Sequence, residues 1–505
     1  MHRDRDFDPG AEPPIGSGDL IKDLGLELLA KAMAAGNEFL LEVAQRALLS
    51  LLTDPAAVLY RQAVLRDCIE NPTIVRGLYA LTAEAIERER KHYWGLSSRN
   101  PGFLLHSSIE VARLFVEMLR RLRCEADAHR GRFVSDGFGT LFAMLQRELD
   151  EDYLATVEDH LARLKFRRGV LVSARLGMAN LGKDHRLLKP NEGERPWLQR
   201  LLLRGPAAYS FHIHERDEGG ARAVSELRDR GINHVANALT QSNDHILAFF
   251  RMLRTELAFY VGCLNLYDRL AAQGEPVCFP VPSAPSVRRF GARGLYDLGL
   301  ALAGGRPVVG NDCDGDGIDL VVVTGANQGG KSTFLRSIGL SQLMMQCGMF
   351  VPARSYDANL AAGIFTHFKR EEDPTMTSGK LDEELQRMST VVDRLMPDCL
   401  VLFNESFQST NEREGSEIGS QIVRALLESR IKIVLVTHMH ALASQLCAED
   451  AGRYLFLRAE RKPDGSRTFK ILPGEPLSTS HGRDLYREIF NESAALLLGV
   501  VGIRQ

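Results

Sequence analysis

The sequence lacks paired cysteines. Its eight cysteines are scattered over 505 residues, and no two have the C-x-x-C spacing or a histidine cluster nearby. This pattern argues against a structural zinc site and against a disulfide framework of a secreted domain. Reduced thiols are typical of a reducing compartment, so we expect a cytoplasmic protein.

The chain also lacks a long apolar run and a large charge of one sign. Residues 1–18 carry acidic residues, proline and glycine where a signal peptide needs an apolar stretch, and no later window has the apolar length of a membrane span. The 62 basic and 65 acidic residues leave a net charge of −3. We therefore expect no membrane partner, and we expect any nucleic acid to be bound by a local patch.

Helical periodicity dominates the first half of the chain. Apolar residues recur every three or four positions over 24–52, and 235–270 contain no proline, which predicts a lever-like helix of roughly 50 Å. Two β-leaning segments, 169–174 and 208–214, predict a small sheet inserted among the helices. The predicted regions are a disordered tail over 1–18 and a helical core over 19–274, with the β insert at 168–216.

The pattern changes after residue 274. A proline-rich linker, 275–287, precedes a region, 288–505, in which short apolar runs alternate with helical segments. The apolar runs lie at 319–323, 399–403 and 431–436. Such uninterrupted runs are typical of parallel strands buried on both faces. The sequence therefore predicts a multidomain protein, with an all-α core carrying a small β insert followed by an α/β domain.

The first of these strands leads into a glycine-rich loop. Residues 325–332 read GANQGGKS, the G-x-x-x-x-G-K-[ST] pattern, and a helical segment follows. Glycines let backbone N–H groups face phosphate oxygens, Lys331 neutralises the β and γ charges, and Ser332 offers a hydroxyl to Mg²⁺. A chance glycine-rich turn is the alternative. The predicted ATP-binding residues of this loop are Gly325, Asn327, Gly329, Gly330, Lys331, Ser332 and Thr333.

Polar residues end the other two strands. Asn404 and Glu405 follow the second strand, where Glu405 is suited to polarise an attacking water as general base, and Asn404 offers the metal shell an oxygen but no charge. An N-cap pair at the strand end is the structural alternative. His438 follows the third strand, where it would orient the γ-phosphate, although a lone histidine is more often structural.

These motifs resemble the ATPase domain of the MutS family of DNA mismatch-repair proteins. The resemblance covers about residues 288–490 and rests on TGANQGGKSTFLR, GMFVPA, NES with STNEREG, VTH and LSTSHG. The preceding helices resemble the family's core and lever domain, mainly through TDPAAVLYRQAVLRDCIENP. The resemblance implies an ABC-type ATPase that uses ATP and Mg²⁺, forms a homodimer with composite nucleotide sites, and couples its ATP state to a nucleic-acid clamp.

The sequence departs from the family pattern at several points. Asn404 replaces the aspartate that supports magnesium, and Val308 falls about where the family has an aromatic that stacks on adenine, so we expect weaker base selectivity. Ser378 is the candidate for the serine that the family supplies across the dimer. Only a short tail precedes the helices, so we expect no classical mismatch reading.

A basic cluster lies in and around the predicted β insert. Residues 163–204 contain eleven lysines or arginines, among them Arg167, Arg168 and Lys183, against three acids. This cluster suits a phosphate backbone. A solvated basic face, offset by the acidic residues at 148–152, is the alternative.

Two functions of different classes follow. The first is an ATPase that dimerises on DNA, or on RNA in a ribosomal complex, without classical mismatch reading. The second is a protein-interaction switch in which ATP sets the lever geometry and turnover is slow or absent. Under either function, other repair or ribosomal proteins are candidate partners. Glu405 and His438 favour turnover, and therefore the first function.

Overall fold

The structure is a computed structural model that describes residues 1–14, 16–93, 100–166, 169–178, 182–188, 210, 212–304, 307–370, 379–449 and 452–477. Helices α1–α14 span Ser17–Leu24, Leu26–Ala34, Glu38–Leu48, Pro55–Glu70, Pro72–Tyr93, Pro101–His129, Asp136–Glu148, Glu151–Arg163, Glu218–Ala272, Leu298–Ala303, Lys331–Gln346, Lys380–Val392, Glu412–Glu428 and His440–Ala448. Strands β1–β12 span Val172–Leu176, Gly182–Leu187, Val281–Ser283, Phe290–Leu295, Asn311–Asp314, Leu320–Gly325, Ser355–Asn359, Ile364–Phe368, Leu400–Asn404, Lys432–Val436, Tyr454–Arg461 and Arg467–Pro473.

The chain divides into two compact units. Unit 1 comprises Met1–Pro72, Val134–Gly137 and Thr255–Gln505, and unit 2 comprises Thr73–Phe133 and Phe138–Arg254. The sequence predicted a boundary near residue 275 instead, because the helical pattern continues to that point. Helices α1–α4 belong to the same unit as the nucleotide-loop strand.

Unit 2 is helical with one small sheet. Apolar side chains from α6, α8 and α9 form its core, for example Ile109, Leu161 and Ile232, which are almost fully buried. Strands β1 and β2 pair antiparallel. The sequence predicted 169–174 and 208–214 as the strands, and the second prediction is wrong in the described positions 210 and 212–214, which are not in a strand. The partner of β1 is Gly182–Leu187, whose polar sequence gives no β signal.

Helix α9 is longer than the sequence suggested. It runs over 55 residues, Glu218–Ala272, and therefore extends about 80 Å at about 1.5 Å per residue. The sequence predicts a start only at residue 235, because the glycines and charged residues before that point weaken the apolar periodicity. Among the described residues, no helix is both long enough and apolar enough to span a lipid bilayer.

Unit 1 contains a six-stranded sheet with the order β12-β11-β6-β10-β9-β8. All neighbours are parallel except β11 and β12, which form an antiparallel pair. The central strands are buried along their length, as their unbroken apolar runs predict. A second sheet has the order β3-β7-β4-β5. The predicted fold class, a helical region with a small β insert followed by an α/β domain, is confirmed.

The N-terminal segment packs within unit 1. Leu52 N donates to the carbonyl of Gln346 at the end of α11 (2.8 Å), and Arg370 pairs with the buried Asp23 at 2.9 Å. Residues 1–14 form no helix or strand, but Met1 and Phe7 are buried. This differs from the expected disordered tail, because two apolar side chains of the tail are removed from water.

Candidate nucleotide site

The nucleotide loop joins the end of β6 to the start of α11. Gly330 precedes the first residue of the helix and has a φ of 91°, a conformation that side chains rarely adopt, so the loop requires glycine there. Because α11 begins at Lys331, its unpaired N-terminal N–H groups point toward the loop. A helix N-terminus of this kind favours phosphate.

Lys331 lies under this loop with only 5% of its surface exposed. Its Nζ donates to the carbonyls of Gly325 (3.0 Å) and Ala326 (3.1 Å), which hold the side chain back across the loop. Burial lowers the pKa of the ammonium group, and the charge of Glu405 partly offsets that effect. Because this cation is shielded from solvent, it is suited to neutralise an anion that enters the loop.

Ser332 and Asn404 meet across the gap between α11 and β9. The Ser332 hydroxyl donates to Asn404 Oδ1 at 2.8 Å. The hydroxyl oxygen and the amide oxygen are both ligands of the kind that Mg²⁺ binds, and Asn404 carries no negative charge. The pair would therefore supply two neutral oxygen ligands to a magnesium ion.

Glu405 and His438 lie at the ends of neighbouring strands. The His438 Nδ1 is 3.8 Å from Glu405 Oε1, and both side chains are partly exposed, at 40% and 30%. The imidazole is the largest cause of a lowered pKa at Glu405, and burial opposes it. The carboxylate is therefore held in the ionised form that a general base requires.

Lys331, Ser332, Glu405 and His438 line one cavity of about 780 Å³, which is large enough for a nucleotide, whereas Asn404 lies outside its wall. Val308 also lies in its wall. Asn327, Gly329, Gly330, Lys331, Ser332 and Thr333 line the cavity with Glu405 and His438. Gly325 is not in the wall and instead supplies the carbonyl that holds Lys331. The structure thus brings together most of the residues proposed from sequence, while their roles stay predictions.

Phe469 is a wall residue that the sequence does not predict. It lies on β12, is 49% exposed and has a φ of 59°. Strand β12 reaches the cavity because it folds back on β11 and contacts β5, where the Asn311 amide bonds the backbone of Phe469 and Ile471. No local signal marks Phe469, since one phenylalanine in an alternating strand is ordinary.

Several predicted residues lie outside the described part of the chain: Ser378, Arg167 and Arg168. Lys183 is exposed on β2, directly opposite the exposed Arg175 of β1. Arg163 and Lys165, also counted in the basic cluster, pair with Asp159 and Glu110 at 2.9 Å each. The positive charge of the cluster is therefore partly neutralised at its helical end.

Comparison with known proteins decides the family. Residues 53–273 match the MutS2 N-terminal domain, and residues 321–482 match MutS domain V. The two matches together cover about three quarters of the chain. The chain belongs to the MutS family. Since domain V is an ATPase domain, the C-terminal α/β region is a MutS-type ATPase domain.

Curated relatives align with only part of this chain. The DNA mismatch repair protein MutS of Thermus thermophilus is 30% identical over 195 residues, which is 37% of this chain and 24% of the relative. MutS of Porphyromonas gingivalis is 32% identical over 180 residues, 34% of this chain and 20% of the relative. MutS protein homolog 4 of Mus musculus is 30% identical over 168 residues, 33% and 17% of the two chains. The chain thus spans about a fifth of the length of these relatives.

Proposed function

We propose that this protein binds ATP with Mg²⁺ and hydrolyses it. The observation that carries the proposal is the convergence of Lys331, Ser332–Asn404 and Glu405–His438 at the carboxyl ends of three adjacent strands, β6, β9 and β10. Ligands of open α/β sheets bind at that edge. The match to an ATPase domain supports the same conclusion.

Each side chain has a distinct role in this proposal. Lys331 and the loop N–H groups bind the triphosphate, and Ser332 and Asn404 hold the metal, which supplies charge neutralisation when bound. Glu405 orients and deprotonates the attacking water, and His438 keeps Glu405 ionised and faces the γ-phosphate. Phe469 lines the same cavity as Val308 and has an aromatic ring, which Val308 lacks. Phe469 therefore stacks on the nucleotide base in this proposal.

We further propose that the ATP state is coupled to DNA in a homodimer, without reading mismatches. Arg175 and Lys183 support a phosphate contact, because two like charges lie directly opposite one another and neither forms an ion pair with another described residue. Such a pair is unfavourable alone and is relieved by an anion. Phosphate contacts carry no base information, so no mismatch preference is expected.

The deciding experiment measures ATP hydrolysis alone and with matched duplex, mismatched duplex, branched and single-stranded DNA, and with RNA. Stimulation by one polymer supports the nucleic-acid coupling and names its class. Hydrolysis that no polymer changes would favour the alternative function, a protein-interaction switch. Absence of hydrolysis under all these conditions would contradict the ATPase proposal itself.

A further inference from the structure

The backbone directly after β9 has an unusual conformation. Glu405 has a φ of 55° and Phe407 a φ of 65°, so two of three successive residues carry side chains in the left-handed region. That region is disfavoured for residues other than glycine, and it persists only where the surroundings fix it. Residues 405–409, termed the Glu405 turn, must therefore be held by neighbouring elements.

Glu384 of α12 holds this turn with both carboxylate oxygens. Its Oε1 accepts the backbone N–H of Phe407, and its Oε2 accepts the Ser409 hydroxyl at 2.8 Å. The residue is only 6% exposed. A buried carboxylate is costly unless its oxygens are hydrogen-bonded, and here both oxygens bond the turn.

Two further elements pack against the same turn. The ring of His367 on β8 stacks on Phe407, with centroids 5.4 Å apart and planes inclined by 19°, and its Nδ1 lies 2.8 Å from Ser406 Oγ. Burial lowers the pKa of His367, so the ring is neutral at physiological pH. On α13, a Cβ at Gly415 would lie 2.2 Å from the Phe407 carbonyl, so only glycine fits against the turn there.

The Glu405 carboxylate is thus attached to a stretch of backbone whose disfavoured conformation depends on contacts with neighbouring elements. Its N–H bonds the Val436 carbonyl at 2.9 Å, which fixes the start of the turn to β10. The far side of the turn is held by α12, β8 and α13, and Glu384 of α12 bonds it at both the Phe407 N–H and the Ser409 hydroxyl. If that side relaxes, the left-handed residues return to favoured conformations, and the Glu405 side chain moves away from His438.

We propose that Glu384 is a positioning residue for hydrolysis, which acts by fixing the Glu405 turn and with it the general base. The inference rests on the proposed function, since it assumes that Glu405 acts on the attacking water. Glu384 itself does not line the nucleotide cavity. Its loss therefore lowers the rate of hydrolysis and leaves nucleotide binding nearly intact.

A double-mutant cycle with Glu405 tests this role. Glu384→Ala should lower kcat roughly tenfold or more, a part of the 10²–10⁴-fold that a positioned base contributes. The dissociation constant for a non-hydrolysable ATP analogue should stay within about threefold of the parent value, because the phosphate loop is unchanged. In the Glu405→Gln background, Glu384→Ala should cause no further loss, since the base is already absent.

Conservative and matched variants complete the experiment. Glu384→Gln keeps an oxygen for the Phe407 N–H and should recover part of the lost kcat, and Ser409→Ala should cost less than Glu384→Ala. Glu383→Ala, at the neighbouring position of α12, is the control and should keep the parent rate. If Glu384→Ala does not fold, the double-mutant cycle with Glu405→Gln can be measured with Glu384→Gln and with Ser409→Ala instead.

The outcomes separate the two claims. A parent protein that hydrolyses ATP, together with Glu384 variants at the parent rate, overturns the positioning role alone. An equal loss in the parent and Glu405→Gln backgrounds also overturns it, because the effect would then be independent of the base. A parent protein that binds but does not hydrolyse ATP overturns the proposed function and this inference with it.

Discussion

The Ser332 hydroxyl donates a hydrogen bond of 2.8 Å to the amide oxygen of Asn404. This bond joins the first turn of α11 to the end of β9, so the two residues proposed to hold the metal are already in contact. An amide oxygen attracts a divalent ion less strongly than a carboxylate does. The site should therefore require more Mg²⁺ than one with an aspartate at this position.

Asn404→Asp should lower the Mg²⁺ concentration that gives half-maximal hydrolysis, because the added carboxylate attracts the ion and its hydration shell. A magnesium titration of the ATPase rate measures the effect. Asn37→Asp, an exposed helix N-cap in which aspartate caps equally well, adds the same charge away from the site and should leave the titration unchanged. An unaltered titration for Asn404→Asp would show that this side chain does not support the metal.

Glu405→Gln should slow hydrolysis by about 10² or more, the scale of a positioned general base, and leave ATP binding nearly intact. Lys331→Ala should instead abolish binding, because the loop loses its buried cation. Single-turnover hydrolysis and equilibrium ATP binding, measured on both variants, separate the two roles. Hydrolysis by Glu405→Gln at the parent rate would assign the base to another group.

His438→Ala should shift the acid limb of the pH profile for kcat to higher pH. The Glu405 carboxyl has a pKa below its ordinary value of 4.5, chiefly because of His438, so the base is lost only as the pH falls through that lowered pKa. Removing the imidazole raises this pKa, and the base is then lost at higher pH. The control is His440→Ala, a nearby histidine outside the nucleotide cavity. If the acid limbs of His438→Ala and the parent protein fall at the same pH, His438 does not lower the pKa of Glu405.

Phe469→Ala should weaken ATP binding roughly tenfold, since base–aromatic stacking contributes about 1–3 kcal/mol, and should weaken GTP binding by a similar factor, because every base has a π-face. Competition binding with both nucleotides measures both effects. Leu472→Ala, also exposed on β12 but outside the cavity wall, provides the comparison. Equal affinities for Phe469→Ala and the parent would mean that the base lies elsewhere in the cavity.

Lys183→Glu separates DNA binding from folding. Opposite charges across a strand pair contribute about 0.2–1 kcal/mol, so the variant should pair with Arg175 and stabilise the β1–β2 hairpin. It should nevertheless weaken DNA binding and flatten its salt dependence, whose slope is about 0.9 per phosphate contact. Arg222→Glu, an exposed change on α9, is the control. Binding with the parent salt slope would remove the hairpin from the DNA interface.

The loop and the strand-end residues were predictable because the signals are local. Lys331 and Ser332 follow a buried run and precede a helical one, and parallel strands bring Asn404, Glu405 and His438 to one edge whatever their order in the sheet. The apolar run alone is enough to locate β6, β9 and β10, but β8, β11 and β12 were not predicted. The residues predicted from sequence therefore include the polar side chains of the loop and of the strand ends, but fewer than half of the residues in the cavity wall.

The remaining features depend on long-range contacts. Phe469 reaches the cavity only through the β11–β12 hairpin, and β2 is a strand because β1 pairs with it, since its own sequence is polar. The role of Glu384 depends on a turn that is distant along the chain. Such pairings leave no periodicity in a single sequence.

The central place of β6 has a kinetic consequence. Its two neighbours, β10 and β11, begin more than a hundred residues later in the chain, at Lys432 and Tyr454. Contacts of such high sequence separation form slowly, because a long segment must first be ordered. During synthesis the apolar β6 segment therefore stays unpaired, and prone to aggregate, until β10 and β11 have been translated. Nucleotide binding by a nascent chain accordingly requires that β10 and β11 have already been translated.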